Sequence, residues 1–478
     1  MSDDGGKSSA RQGNPPRAAF VLAVAAFFAI AVHQHLFHVN SHYYYTWTWQ
    51  WIPSRTVYPV MLSLGVPFFL AQALYARRPS AGWVGLLMVS ALALMIGGAC
   101  VQQNPPGFSR IPDVVQSRWS TGYFAQAEAL LHKGISARQL LARYPAMLDH
   151  FYLHPRQKPP GLVLMEMGII RLLGPGQLGA SVSGLLIGLV ASFSILATYG
   201  FIAFFTAGRA EGKPSADAAF FGASYLTLCP SLVLFFPMFE QCYSILTVTV
   251  AVLWGLALLR NQFRYSIALG VAYAAAGFIT YLPGVIAVFL IGFALLRWFT
   301  DPQCRMRRIF IHFITSLAAF AACYAALWAT TRFNPIATLR ECTRQVYVLW
   351  DILINVYHYP HHSLPGTIPT DLYDFALASG WMSFVLVGFY FKSAFRQGPS
   401  PQSRVAILSV LQFVLIALTG ALQVETARIW MFMLPMLMLP VGLELANWRP
   451  GARLAVYAAL LILTAEMCQS MEFITPQK

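Results

Sequence analysis

Long apolar runs separated by short polar stretches dominate the chain. A helix needs about 20 apolar residues to cross the hydrocarbon core, and fewer where neighbours or re-entrant geometry help. The apolar segments that meet or approach this length lie near 18–37, 57–76, 82–101, 161–174, 178–205, 217–236, 241–259, 265–281, 283–297, 309–331, 372–391, 405–421, 423–446 and 453–468. The pattern predicts an all-α polytopic integral membrane protein with about 13 transmembrane helices.

Composition supports this class and excludes others. Hydrophobic residues make up 57% of the 478 residues and charged residues 10%, against roughly 25% charged in soluble domains. A large soluble domain is therefore excluded. The seven cysteines stand singly, without a CxxC pair, so they indicate neither a disulfide framework nor a zinc site.

Charge sets the expected orientation. The net charge is +14, but the cations cluster between apolar runs, where positive-inside topology puts them, rather than in a nucleic-acid-binding surface. If the Ser-, Gly- and Pro-rich tail 1–16 is disordered and cytoplasmic, these clusters fall on its side: Arg77/Arg78, Arg260/Arg264, Arg297 with Arg305/Arg307/Arg308, Lys392/Arg396/Arg404 and Arg449/Arg453. Counting the crossings places all of these clusters on the cytoplasmic side only if one segment between 161 and 236 is re-entrant or broken. The sequence does not say which.

Two long polar stretches, 102–160 and 332–371, then lie outside the membrane. Loops of this length usually carry function or are disordered. The stretches "YFAQAEALLHKG" and "RECTRQVYVLWDILINVY" have helical spacing of apolar residues. Each outer loop is therefore expected to contain interfacial helices that lie on the membrane.

The first outer loop carries a recognisable series of motifs. It has Asp113, then a helical stretch from Tyr123 to Leu131, and it closes with His154-Pro-Arg156-Gln-Lys158-Pro-Pro-Gly161 before an apolar helix. This order resembles the GT-C superfamily of membrane glycosyltransferases, which contains the protein O-mannosyltransferases and lipid A aminoarabinose transferases. Three more segments, "FNPIATLR", "TDLYDFALASGW" and "VETARIWMFMLP", look like a poorly characterised bacterial branch of it.

The resemblance implies a domain organisation and an activity. A GT-C-like catalytic module would span 82–446, preceded by two transmembrane helices in 17–81 and followed by a last helix and short tail in 447–478. The implied reaction moves a sugar from a polyprenyl-phosphate donor to a glycan, lipid or protein acceptor. It would occur at the outer face of a bacterial inner membrane, among membrane lipids and without nucleic acid. No cofactor is specified, and a divalent metal ion stays open.

Two positions depart from the superfamily pattern. Val114 follows Asp113 where many members have a second acidic residue, and Lys158 stands where the bacterial branch usually has histidine. Because the second acidic residue is missing, the pattern does not fix which residue is the catalytic base. The second departure favours phosphate binding over metal binding at position 158.

The reaction needs a carboxylate to take the acceptor's proton and cations to stabilise the leaving phosphate. Asp113 is the candidate base; the alternative is an aspartate that caps the following helix. Lys158 and Arg156 are candidates for the phosphate; the alternative is that both snorkel at a helix end. Glu240 and His154 are candidates for orienting the acceptor, although Glu240 could instead cap the 241–259 helix.

Further charged residues complete the predicted site. Glu425 and Arg428 are three apart, so they should share a helix face, either as a structural ion pair or with Arg428 on the lipid phosphate and Glu425 on the acceptor. Arg340 and Arg344 lie one turn apart and could bind phosphate or form a solvated face. His361 is a further acceptor-orienting candidate, and its loop, with His358 and His362, lacks the helical spacing of a metal site.

Two other functions fit parts of this pattern. An O-antigen ligase or polymerase also uses a large outer loop with Arg and His, although that loop is expected nearer the C-terminus. A transporter or lipid flippase would place ionisable groups near the bilayer midplane and often shows internal repeats. The chain shows no repeat, and its ionisable groups gather at one face, which favours the enzyme.

Overall fold

The structure is a computed structural model that describes residues 15–34, 36, 40–41, 45–46, 48–49, 56–103, 105–207, 214–355, 364–398, 400–420, 422 and 425–472. Almost all of this is helical. The α-helices are α1 (Pro15–His33), α2 (Val57–Leu64), α3 (Val66–Arg77), α4 (Val84–Val101), α5 (Arg110–Gln116), α6 (Tyr123–His132), α7 (Ala137–Met147), α8 (Gly161–Leu173), α9 (Gln177–Thr206), α10 (Pro214–Thr227), α11 (Pro230–Leu234), α12 (Tyr243–Arg260), α13 (Phe263–Ile279), α14 (Ala287–Thr300), α15 (Met306–Thr331), α16 (Pro335–Asn355), α17 (Thr367–Ala378), α18 (Met382–Gln397), α19 (Pro401–Thr419), α20 (Thr426–Ile429), α21 (Leu434–Ala446) and α22 (Pro450–Ser470).

Short elements complete the fold. Single 3-10 turns cover Ala81–Trp83, Leu148–His150, Pro155–Gln157, Phe239–Cys242, Leu282–Ile286 and Trp430–Met433. Two antiparallel pairs of two-residue strands join β1 (Asn40–Ser41) to β2 (Tyr45–Thr46) and β3 (Thr48–Trp49) to β4 (Met471–Glu472). These pairs are too short to change the all-α class.

Within the described residues, ten helical stretches are long and apolar enough to cross a membrane. They are Pro15–His33, Val57–Arg77, Ala81–Val101, Gln177–Thr206, Phe239–Arg260, Leu282–Thr300, Met306–Thr331, Pro401–Thr419, Thr426–Ala446 and Pro450–Ser470. The bent pair α17–α18 makes an eleventh if it counts as one span, and α13 is shorter but apolar. The prediction of an all-α polytopic membrane protein is confirmed, whereas the number 13 stays a prediction.

The bend of 102° between α17 and α18 has a local cause. Gly380 has φ +83° and Trp381 has φ +47°, a left-handed conformation that ends a helix and that glycine adopts without steric cost. The Trp381 ring then stacks on Phe28 of α1, with 3.9 Å between the ring centroids. This stacking offsets the strain of a bulky residue at positive φ.

Glycines allow close approach where helices cross. A Cβ added to Gly442 of α21 would lie 2.1 Å from the carbonyl oxygen of Ala218 in α10, and one added to Gly270 of α13 would lie 2.2 Å from that of Ser316 in α15. Membrane helices associate through such small-residue contacts because lipid leaves little hydrophobic driving force between them.

The position of α8 accounts for the segment between 161 and 236 that the charge pattern predicts not to cross the membrane fully. It begins where the first loop ends, and a Cβ at its first residue, Gly161, would press on the backbone of Phe278 at the end of α13. Beyond its last residue, the Pro175 carbonyl and the Gln177 side chain both contact Gln116 of that same loop. Both ends of α8 therefore lie at the end of the bundle that carries the first loop, and this continuous 13-residue helix does not cross to the other end.

The two predicted helical stretches in the long loops are confirmed as α6 and α16. The loop 102–160 also contains α5 and α7, and α16 packs against α7 and the turn Pro155–Gln157. We call this the site end of the bundle. The opposite end is marked by the Arg17–Glu444 ion pair, 2.7 Å between Nη1 and Oε1, which joins the start of α1 to the end of α21.

Candidate functional site

The Lys-Pro-Pro-Gly segment fixes the backbone of Lys158. Because a proline follows, Lys158 is extended, with φ −124° and ψ 156°. Its carbonyl accepts a hydrogen bond of 2.9 Å from the Tyr144 hydroxyl of α7 and one of 3.4 Å from the Cys342 thiol of α16. Side chains from both long loops therefore bind the backbone carbonyl of Lys158.

The Lys158 ammonium, in contrast, donates no hydrogen bond and forms no ion pair with any residue that the structure describes. Burial lowers the pKa of Lys158, while the Glu240 carboxylate opposes that shift and Arg428 adds to it. A partly buried cation without a direct partner is costly. It is suited to receiving an anion.

Glu240 and Arg428 lie close enough to Lys158 for their charges to act on it. Glu240 is buried in the 3-10 turn Phe239–Cys242 that leads into α12. The ionisable groups that act most strongly on its carboxylate are Arg428, Lys158 and then His154. The residue at the N-cap of α12 is Cys242, without a side-chain cap. The alternative in which Glu240 caps this helix is therefore not observed.

Arg428 forms the predicted ion pair with Glu425, but the backbone between them differs from the prediction. Glu425 precedes α20 and has φ +53°, so the two residues do not share a face of one continuous helix and that premise is wrong. The guanidinium still forms an ion pair with the Glu425 carboxylate, and its Nη1 donates to Met238 Sδ at 3.6 Å. Burial raises the pKa of Glu425, opposed by the Arg428 charge.

Asp374 of α17 positions the segment that carries Arg428. Its buried carboxylate accepts a 3.0 Å hydrogen bond from the Ala427 N–H and a 3.3 Å bond from the Thr426 hydroxyl. A carboxylate at these first amides of α20 satisfies donors that have no partner within the helix. The sequence analysis quoted this segment but did not single out Asp374; an acidic residue on an apolar helix was the available signal.

His154 has a defined tautomer. Its Nε2 lies 3.0 Å from the Trp119 carbonyl oxygen. A carbonyl only accepts, so Nε2 carries the proton and Nδ1 keeps its lone pair in the neutral ring. Burial, with a contribution from Arg428, lowers the pKa of His154 to about 4. The ring is therefore neutral near pH 7, with a free acceptor nitrogen.

Two buried tyrosines, which the sequence analysis did not single out as site residues, border Glu240. Tyr123 opens α6 and meets the Phe239 ring edge-on at 5.3 Å between centroids. Burial and the Glu240 charge hold the pKa of Tyr123 well above its ordinary value. Tyr243 follows on the first turn of α12. Single tyrosines in apolar surroundings give no sequence signal that separates them from core residues.

Asp113 lies within α5 rather than ahead of it. The helix begins at Arg110 after Ser109, so Asp113 occupies its first turn, where the helix dipole favours a carboxylate. Asp113 is half-buried. Its side chain forms no hydrogen bond or ion pair with any residue that the structure describes. The carboxylate is therefore free to accept a hydrogen bond. The described contacts do not join it to the group around Glu240.

The other predicted cations have different surroundings. Arg156 donates to the Phe151 carbonyl at 2.9 and 3.2 Å and to that of Asp149 at 3.5 Å, which binds the loop together. Arg344 forms 2.6 Å ion pairs with both Glu341 and Asp149, linking α16 to the first loop. Arg340 is exposed on α16.

The structure thus brings five predicted residues together, which we call the ionic cluster: His154, Lys158, Glu240, Glu425 and Arg428. His361 lies outside the described residues, as do His358 and His362. Among the residues that are described, no three His, Cys, Asp or Glu side chains converge as a metal site. The cluster can bind an anionic group through Lys158 and Arg428 and a hydroxyl through Glu240 or His154 Nδ1.

A comparison of the chain with protein family models and with curated proteins finds no match.

Proposed function

We propose that the chain is a GT-C-like membrane glycosyltransferase, which transfers a sugar from a polyprenyl-phosphate donor to an acceptor at the outer face of the membrane. The observation that carries the proposal is the ionic cluster, in which the Lys158 ammonium has no direct partner among the described residues. A lipid-linked phosphate supplies the anion that this cation lacks. The sequence resemblance supplies the reaction class.

The donor phosphate would lie between Lys158 and Arg428. Arginine presents a planar fork of donors suited to phosphate oxygens, and lysine adds a compact charge. As the phosphate leaves, negative charge develops on its bridging oxygen. Partly buried cations stabilise that charge more than solvated ones, because little water screens them.

In the transfer step, the acceptor hydroxyl oxygen bonds to the anomeric carbon while the bond from that carbon to the phosphate oxygen breaks. The hydroxyl proton passes to the Asp113 carboxylate, and the electron pair of the broken bond leaves with the phosphate. Glu240 and His154 Nδ1 orient the acceptor by accepting its other hydroxyl protons. Asp374 acts through Arg428 and is a positioning residue.

The proposal includes a topology. If α10 with α11, α13, and α17 with α18 also cross, they join the ten long stretches to make thirteen spans. With α8 remaining at the site end, three crossings (α1, α2 with α3, and α4) separate the tail from the first long loop. Six more, from α9 to α15 with α10 and α11 as one, return the chain to the same face at the second long loop. Positive-inside placement of the arginine clusters then assigns the site end to the outer face.

Mass spectrometry of cell-envelope glycolipids and glycans tests the proposal. Cells that express the wild type should contain a sugar-modified product that is missing without the gene and with Lys158→Met or Asp113→Asn. Two controls change exposed or half-exposed groups of the same loop, Lys133→Met and Glu128→Gln. Both should retain the product.

The outcomes separate the assignments. An envelope that is identical with and without the gene contradicts the glycosyltransferase. A product that survives in Lys158→Met removes Lys158 from phosphate binding. If the product is lost in Lys158→Met but retained in Asp113→Asn, Asp113 is not the base. Glu240→Gln, with Glu128→Gln as its control, then tests whether the buried Glu240 carboxylate is the base instead.

A further inference from the structure

A large apolar groove opens between α14 and α15, away from the ionic cluster. Its volume is about 700 Å³, within the roughly 300–1,000 Å³ of pockets that hold small organic ligands. The helix α15 packs along α13, whereas α14 packs against α12 and α19, which leaves the space between them open. Its wall is almost entirely apolar and includes Trp254, Tyr273, Leu290, Ala294, Phe313 and Phe320.

The groove lies at the opposite end of the bundle from the site. Its lining on α15 runs from Met306 to Phe320, about 21 Å at 1.5 Å per residue. This length exceeds the depth of one leaflet, about 15 Å or half of the hydrocarbon core. The far end of α15, at Thr331, leads into α16, which packs on the turn before Lys158. The groove therefore reaches through the other leaflet.

Unpaired arginines stand at the start of α15, where the lining of this groove begins. Arg307 lines it, and Arg305 and Arg308 flank Arg307 on the surface. In the part of the chain that is described, none of the three guanidinium groups donates a hydrogen bond or forms an ion pair. The nearby Arg297 and Asp301 pair with each other, so the local carboxylate does not neutralise them.

We infer that the groove is a binding site for an anionic phospholipid of the leaflet opposite the catalytic face. An acyl chain fills the groove, and the headgroup phosphate is bound by Arg307 in the field of Arg305 and Arg308. An apolar slot one leaflet deep with unpaired guanidinium groups at its polar end matches both parts of such a lipid. A neutral ligand would leave the arginines uncompensated.

The binding site is tested with the full-length protein by native mass spectrometry, after exchange into detergent with equal amounts of phosphatidylglycerol and phosphatidylcholine. Wild type should retain phosphatidylglycerol about tenfold more than phosphatidylcholine. Both lipids carry a phosphate, but the choline ammonium of phosphatidylcholine cancels that charge and is repelled by the arginines. Arg307→Met should remove this preference. Its control is Arg396→Met, which changes an exposed arginine of α18 at the same end.

A second pair of variants tests the groove itself. Ala294→Phe places a ring inside it and should reduce retention of both lipids, whereas Ala318→Phe adds the same ring to the exposed face of α15 outside it and should not. If Ala294→Phe does not fold, Arg307→Glu replaces it, because residue 307 is exposed and the reversed charge should exclude the anionic lipid.

Three results would overturn the inference. The first is equal retention of the two lipids by wild type, and the second is a preference that persists in Arg307→Met. The third is a wild-type dimer that Ala294→Phe converts to a monomer, because a second copy of the chain would then occupy the groove. Lys158→Met should leave lipid retention unchanged. A failed lipid-binding test therefore does not count against the proposed glycosyltransferase, and a failed glycosyltransferase test does not count against the lipid site.

Discussion

Gly161 joins the Lys158 segment to the rest of the bundle, and its replacement by alanine gives a prediction with a defined magnitude. A Cβ at this position would lie 2.5 Å from the Phe278 carbonyl oxygen, 3.1 Å from the Phe278 carbonyl carbon and 3.2 Å from the Ile279 Cα. All three are backbone atoms, which cannot rotate away. The start of α8 must therefore move from the end of α13, and Lys158 is three residues before it.

The expected cost follows from the nature of this contact. Overpacking a tight site typically costs about 1–3 kcal/mol, and a clash with backbone belongs at the upper end of that range. Gly168, in the same helix, has no atom within 4 Å of an added Cβ. At that position, alanine should instead stabilise the helix by about 0.5–1 kcal/mol. The two variants should differ in free energy of unfolding by roughly 2–4 kcal/mol, the sum of these terms.

The assay is equilibrium unfolding of the purified protein in mixed micelles, with donor-phosphate binding measured on the same samples. Gly161→Ala should lower the unfolding midpoint and weaken binding of a polyprenyl phosphate, because Lys158 is displaced. Gly168→Ala should raise the midpoint and leave binding unchanged. Equal stability of the two variants would refute the close packing of α8 on α13.

Three more perturbations test the cluster. Lys158→Met should raise the free energy of unfolding by about 0.5–2 kcal/mol while donor binding falls, because burial lowers the pKa of Lys158 and so disfavours its charge. Asp374→Ala should cost about 1–3 kcal/mol, because it leaves the buried Ala427 amide unpaired. The depressed pKa of His154, about 4 against 6.5, gives stability that is present above pH 6.5 and lost as the pH falls towards 4. After an allowance for partial exposure this loss is about 1–2 kcal/mol, and His154→Gln should abolish it.

Each of these has a contrary outcome. A loss of stability in Lys158→Met, measured beside Lys133→Met, would mean that the lysine serves the fold rather than a ligand. An Asp374→Ala variant no less stable than Asp351→Ala, which alters an exposed carboxylate of α16, would argue against capping of α20. A His154→Gln protein with the wild-type pH profile between 4 and 6.5 would assign that profile to another group.

The apolar runs predicted nearly all of the long helices, because a bilayer demands continuous hydrophobic length and internal backbone hydrogen bonding. They did not show that α8 stays at one end of the bundle. Its sequence, "GLVLMEMGIIRLL", is as apolar as that of a span, and its path is decided by contacts at Gly161 and Gln177. Likewise, spacing alone implied that Glu425 and Arg428 share a helix face, whereas the left-handed backbone at Glu425 excludes this.

By itself, the sequence determined the class of the protein, the position of most helices and the residues that could carry ionic chemistry, since these depend on local composition. Only the tertiary structure decided that the charges of His154 and Lys158 in the first loop act on Glu240, as that of Arg428 does. It likewise decided that Arg156 and Arg344 bind the loops together. It also decided which cations have partners, because pairing depends on distances between segments far apart along the chain, and residue spacing does not encode those distances.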